Sequence, residues 1–178
     1  MNNKIPPPIV TLTFGLLIYF TKSVFPTFTN GLLNILSLLS LIIGLSILIS
    51  AVSSFKKQQT TVNPIAIEKA SALVVTGIFK YSRNPMYLGM VFILIAIALQ
   101  FNPVGGIIFI ILFVMFITKF QIIPEENIMN KLFTDSFIEY KKIQGDGSKE
   151  MTYQAHLFIA LTIGFIGSLF CIFLYQSN

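Results

Sequence analysis

Gly77-Ile78-Phe79-Lys80-Tyr81-Ser82-Arg83-Asn84-Pro85-Met86-Tyr87-Leu88-Gly89 is a short cationic step that leads directly into a long apolar run. Pro85 suits the first position of a helix, where its missing N–H would have no partner anyway. A residue before proline is pushed out of the helical region, so Asn84 is expected to cap the helix rather than continue it. Free backbone N–H groups and the positive end of the helix dipole then meet at the start of the apolar run. Arg83 stands beside them, and Tyr81 and Tyr87 add aromatic faces with polar tips. Such a place can hold an anionic or zwitterionic small molecule at a membrane surface. It can equally be a plain helix entry with its arginine and tyrosines anchored at the lipid interface.

The chain around this step is a membrane protein. Apolar residues make up 54% of its 178 residues and charged residues 11%, against about a quarter charged in soluble domains. The formal net charge of +5 is no nucleic-acid signature, because the lysines and arginines fill the gaps between apolar runs. One cysteine, Cys171, and one histidine, His156, leave no disulfide and no metal cluster to expect.

Five apolar runs follow in order: residues 9 to about 25, 32 to about 52, 86–99, 104 to about 123, and 157 to about 175. The third is the shortest, with about 14 residues giving roughly 21 Å of helix. Between it and the fourth lies Gln100-Phe101-Asn102-Pro103, an uncharged reversal followed by Gly105-Gly106, which lets two helices approach closely. Runs three and four therefore read as a helical hairpin. Pro124 is expected to end the fourth helix. Glu125 and Glu126 then open a new amphipathic segment, to about residue 143, in one or two helices lying on the membrane. Within residues 56–84, Asn63-Pro64 reads as a turn, 66–72 as a short interfacial helix, and Leu73-Val74-Val75 as a short extended stretch.

The expected fold class is all-α: a multi-pass integral membrane protein with about five transmembrane helices and cytoplasmic amphipathic helices. It forms one membrane domain over residues 1–178, made of an N-terminal hairpin (1–55), a core with the second hairpin (56–150), and a C-terminal transmembrane helix (151–178). Cations concentrate in segments 56–84 and 119–150, which puts these and the N-terminus in the cytoplasm, and the C-terminus outside the plasma membrane. The Arg83-Asn84-Pro85 helix start and the Glu125-Glu126 pair then share one end of the hairpin. A cation with helix N–H groups on one side and carboxylates on the other suits a zwitterionic ligand; interfacial charges are the alternative.

Residues 72–89, Ala72 through Gly89, resemble the core of the isoprenylcysteine carboxyl methyltransferases, which carry a Gly-x-Tyr/Phe-x-x-x-Arg-His-Pro-x-Tyr-x-Gly stretch, a helical hairpin and then a Glu-Glu pair. Asn102-Pro103-Val104-Gly105-Gly106 and the segment from Phe133 to Tyr140-Lys141-Lys142 extend the resemblance over roughly residues 63–143. Phospholipid N-methyltransferases share this core more distantly. The resemblance implies S-adenosylmethionine as methyl donor. It implies Leu73, Val74 and Phe79 lining its pocket, Asn84, Pro85, Met86 and Tyr87 wrapping it, and Glu126 with Glu125 holding its polar end. Arg83, Lys119 and Gln121 fall where the acceptor would bind. Asn84 replaces the family's usual histidine, Gln121 stands near a usual arginine, and Thr134 replaces a glycine.

The implied reaction is carboxyl O-methylation of a lipidic or prenylated acceptor that enters from the bilayer among membrane lipids, with neither metal nor nucleic acid as partner. Methylation of a lipid amine is a rival, as is a non-catalytic scaffold keeping the same fold. A coupled transporter is disfavoured, because no run carries a charge at its middle.

Overall fold

The structure is a computed structural model that describes residues 5–25, 31–59 and 73–144. Several expectations fall outside these residues: the turn at 63–64, the interfacial helix at 66–72, the fifth apolar run with Cys171, and His156 just ahead of it. Among the described residues every regular element is helical, and the protein is an all-α membrane protein.

Helix α1 (Pro7–Phe20) starts on a proline and runs into a 3₁₀ turn, Thr21–Ser23. Helix α2 (Gly31–Lys57) has 27 residues and is long and apolar enough to cross a membrane. Helix α3 (Pro85–Phe101) is shorter, with 17 residues. Helix α4 (Pro103–Ile117) continues through a π turn (Thr118–Ile122) into α5 (Ile123–Leu132), making one apolar rod of 30 residues, Pro103–Leu132. Helix α6 (Thr134–Gln144) follows a break at Phe133. With about 1.5 Å of rise per residue, the 14 residues of α1 cover roughly 21 Å, less than the ~30 Å hydrocarbon core. The expected first crossing is thus shorter as a helix than as an apolar run.

Pro124 does not end the fourth helix. A proline lacks the N–H for the helical ladder and crowds the carbonyl four residues back. The π turn just ahead of it widens the helix by one residue, so the rod passes through. That extra residue also rotates everything after it by about 100° relative to an uninterrupted α-helix. The turn therefore sets which way Glu125 and Glu126 face.

Small and hydroxyl side chains hold α2 against α3, antiparallel. Ser37 Oγ donates to the Ala96 carbonyl at 2.8 Å, and Ser40 Oγ to the Phe92 carbonyl at 2.8 Å. Further along, a Cβ on Gly44 would come within 2.8 Å of the Gly89 carbonyl oxygen. In lipid such close contacts replace the missing hydrophobic drive between helices, and each interhelical hydrogen bond adds about 0.6 kcal/mol. The Gly105-Gly106 expectation holds: a Cβ on Gly106 would collide with Ala98 of α3, so the hairpin closes only with hydrogen there.

Proline starts both arms of the hairpin, but the two asparagines before them differ. Asn84 makes no side-chain cap; its backbone carbonyl accepts the first helical bond, from Leu88 N–H at 3.1 Å. Asn102, fully buried at the tip, is the capping side chain. Its Oδ1 accepts from Gly105 N–H at 2.9 Å and its Nδ2 donates to Thr21 Oγ1 at 3.3 Å. The expectation of an Asn84 cap is corrected in this respect: the helix start is as read, and its cap is backbone only.

Candidate functional site

Arg83, Tyr87, Glu125 and Glu126 converge where α3 begins and α5 begins. Seventeen residues of α3 separate this place from the Asn102 tip, roughly 25 Å, so the cluster lies near the membrane face opposite the tip. Two links join the helices. Tyr87 Oη donates to Glu125 Oε1 at 2.5 Å. Arg83 Nη2 stands 3.3 Å from Glu126 Oε1, with the two side chains 5% and 23% exposed. The second link is an ion pair without hydrogen-bond alignment: neither terminal nitrogen of Arg83, nor Oε1 of Glu126, has a hydrogen-bond partner.

This is an unusual state for an arginine. Its guanidinium carries five donors in a rigid fork, and burying the four on its terminal nitrogens without acceptors is unfavourable by a few kcal/mol. A ligand carboxylate would engage the fork, and a ligand ammonium would engage the Glu126 carboxylate. The donor set thus fits the α-amino acid end of S-adenosylmethionine.

The expected pocket residues divide. Val74 and Phe79 are buried in an apolar cluster with Ala51, packed against Phe55, Ile78 and Met86. Phe79 meets Phe55 edge to face at 5.1 Å between centroids. These side chains form a floor between α2 and the turn ahead of α3. Gly77 lets that turn form: it adopts φ +65°, and a Cβ there would lie 2.7 Å from Ser54 Oγ. Leu73 is half-buried at the start of the extended stretch, Pro85 is buried, Met86 is half-buried against the cluster, and Asn84 is half-buried. Ser82 Oγ accepts from Asn84 N–H at 3.3 Å, which steadies the bend before Pro85.

Two expected acceptor residues lie elsewhere. Lys119 is exposed, its ammonium 5.7 Å from the Phe120 ring centroid. Gln121 is 2% exposed in the π turn and donates through Nε2 to the Ile5 carbonyl at 2.8 Å. It ties the start of the chain to the hairpin, and its Oε1 has no hydrogen-bond partner. Arg83, expected with the acceptor, faces Glu126 instead.

Helix α6 adds a contact that sequence reasoning leaves unassigned. Tyr140 Oη donates to the Phe79 carbonyl at 2.7 Å, with Phe137 buried beside it. The sequence signals are the apolar spacing of Phe137 and Tyr140 along an otherwise polar helix and the resemblance that runs through Tyr140, neither of which names Phe79 as the partner. No group of histidine, cysteine or acidic side chains among the described residues could hold a metal ion.

The phospholipid methyltransferase family profile matches residues 32–136, more than half of the chain and all four convergent residues. The chain belongs to the phospholipid methyltransferase family. It is accordingly a membrane methyltransferase for a lipid-type substrate, and membership implies S-adenosylmethionine as donor. No curated protein and no solved structure matches it. The isoprenylcysteine carboxyl methyltransferases, which the sequence resembles, are a related family.

Proposed function

We propose that the protein methylates the amine headgroup of a lipid, with S-adenosylmethionine held between Arg83 and Glu126 at the cytoplasmic face of the plasma membrane. The observation that carries the donor site is the buried Arg83 fork, lacking acceptors, beside a carboxylate. Bound there, the donor supplies an electrophilic methyl group on a sulfonium. Arg83 and Glu126 orient it, Tyr87 offers an aromatic face at the same level, and the apolar floor of Val74, Phe79 and Met86 excludes water. Methyl transfer of this kind depends on proximity and alignment more than on covalent help.

Carboxyl O-methylation, the reaction of the related family, would need a cation for the acceptor's carboxylate. Lys119 points to the surface, Gln121 spends its amide on Ile5, and in this reading the Arg83 fork is taken by the donor's own carboxylate. Glu125 supports the amine reading instead, since an unneutralised carboxylate attracts an ammonium. A scaffold without catalysis would keep the Arg83–Glu126 pair only as a structural tie between the two helix starts.

The test is to incubate purified protein with methyl-labelled S-adenosylmethionine and total membrane lipid, then separate the labelled lipids. Base-stable label in an amine headgroup is the expected result. Label released by mild base, as from a methyl ester, would restore the carboxyl reading, and absence of label with absence of donor binding would restore the scaffold.

A further inference from the structure

The two adjacent glutamates have unlike partners, and the difference points to unlike tasks. Glu126 faces a guanidinium; Glu125 faces a neutral phenol. Among the described residues no cation pairs with Glu125, and no donor reaches its Oε2. The charged or titratable groups facing it are Tyr87 from α3, Glu126 on its own helix and, beyond Glu126, Arg83. Glu126 repels it and Tyr87 does not neutralise it, so the site favours an additional positive charge at Oε2. Since Arg83 with Glu126 already accounts for both ends of an amino acid group, that charge belongs to a second ligand group.

An amine acceptor supplies it and poses a chemical difficulty. A primary amine, with an ordinary pKa near that of lysine, about 10.4, is protonated at neutral pH and has no lone pair to attack with. We propose that Glu125, held in place by the Tyr87 hydroxyl, is the catalytic base that takes this proton. The inference rests on the donor reading of Arg83 and Glu126. The ammonium N–H bond breaks and its proton passes to Glu125 Oε2. The freed pair forms the N–C bond as the C–S bond of the sulfonium breaks, with that electron pair remaining on sulfur as a neutral thioether. The proton on Glu125 then leaves to water at the membrane surface. Tyr87 is the positioning residue: its hydrogen bond occupies Oε1 and presents Oε2.

The experiment uses the full chain, S-adenosylmethionine, and phosphatidylcholine vesicles carrying a phospholipid with a primary-amine headgroup. Glu125→Gln, Glu125→Asp and Tyr87→Phe are compared with the parent protein by calorimetric donor binding and by transfer rate against pH. Glu125→Gln is expected to bind the donor within about threefold of the parent, while its transfer rate at neutral pH falls by about 10²–10⁴. Its residual rate should climb about tenfold per pH unit, following free amine in solution. Glu125→Asp should keep the parent's shallower pH profile at reduced rate, and Tyr87→Phe should fall between the two. Donor affinity lost in Glu125→Gln as well would assign Glu125 to the donor and overturn the proposal while leaving the donor reading intact. A Glu125→Gln profile parallel to the parent's would also overturn it. Failure of the parent protein itself to bind the donor would remove the donor reading and this inference together.

Discussion

Gly44 of α2 and Gly89 of α3 lie back to back: a Cβ on Gly89 would stand 2.9 Å from the Gly44 carbonyl oxygen and 2.8 Å from Leu48 Cγ. The contact lies one helical turn from Pro85, at the end of the hairpin that carries the candidate site. Gly89→Ala forces backbone apart rather than a flexible side chain, an overpacking cost of about 1–3 kcal/mol. The detergent-solubilised variant should therefore melt about 2–4 °C lower per kcal/mol lost. Gly31→Ala is the control, because nothing lies within 4 Å of a Cβ there. Equal melting of both variants would show that the helices can separate without loss.

Tyr140 and Phe79 give a second, independent prediction. The 2.7 Å hydrogen bond from the Tyr140 hydroxyl to the Phe79 carbonyl ties α6 to the turn before α3. Tyr140→Phe keeps the ring and removes the donor, at a net cost of about 0.5–1.5 kcal/mol. Loss should appear as faster hydrogen exchange of α6 amides, with α2 and α3 unchanged. Uniform exchange across the protein would mean that α6 is held by its apolar contacts alone.

Much of this architecture is legible in local chemistry. Pro85 and Pro103 mark helix starts because a first-turn position tolerates a missing N–H without losing a helical bond. Gly105-Gly106 marks a close crossing, and the pairing of Arg83 with the glutamates follows from hairpin topology. What is hidden depends on distant residues. Pro124 reads as a stop, and the π turn that carries the helix through it leaves no local signature. Asn84 and Asn102 precede prolines alike, but only Asn102, buried at the tip, caps its helix through the side chain. Gln121 meets Ile5 across 116 positions, which no spacing rule anticipates.

Orientation is the third prediction. Tyr81, 81% exposed, lies at the cationic end of the hairpin and Gln100, also exposed, at its uncharged tip. The positive-inside rule places the first in the cytoplasm and the second outside. In a Cys171→Ser background, a membrane-impermeant thiol reagent added to intact cells should label Gln100→Cys and spare Tyr81→Cys. The reverse pattern would invert the protein and move the candidate site to the outer face.

Arg83 and Glu126 carry the last prediction. Glu126→Gln keeps shape and removes the charge that answers a ligand ammonium. A charge-assisted hydrogen bond contributes about 1.5–3 kcal/mol, so the dissociation constant for S-adenosylmethionine should rise roughly ten- to a hundredfold. The same change leaves the Arg83 guanidinium, 5% exposed, without its counter-charge, so the unliganded protein should also melt lower. Arg83→Lys keeps a positive charge but loses the planar fork that grips a carboxylate at two points, and its affinity should fall by a comparable factor. Glu139→Gln, exposed on α6, should change neither quantity, since exposed charges contribute little. Calorimetry and thermal melting on the three variants separate the alternatives. Equal donor affinity in Glu126→Gln and Glu139→Gln would reduce Glu126 to an interfacial charge. Lowered melting with unchanged affinity would make the Arg83–Glu126 pair a structural tie between the two helix starts.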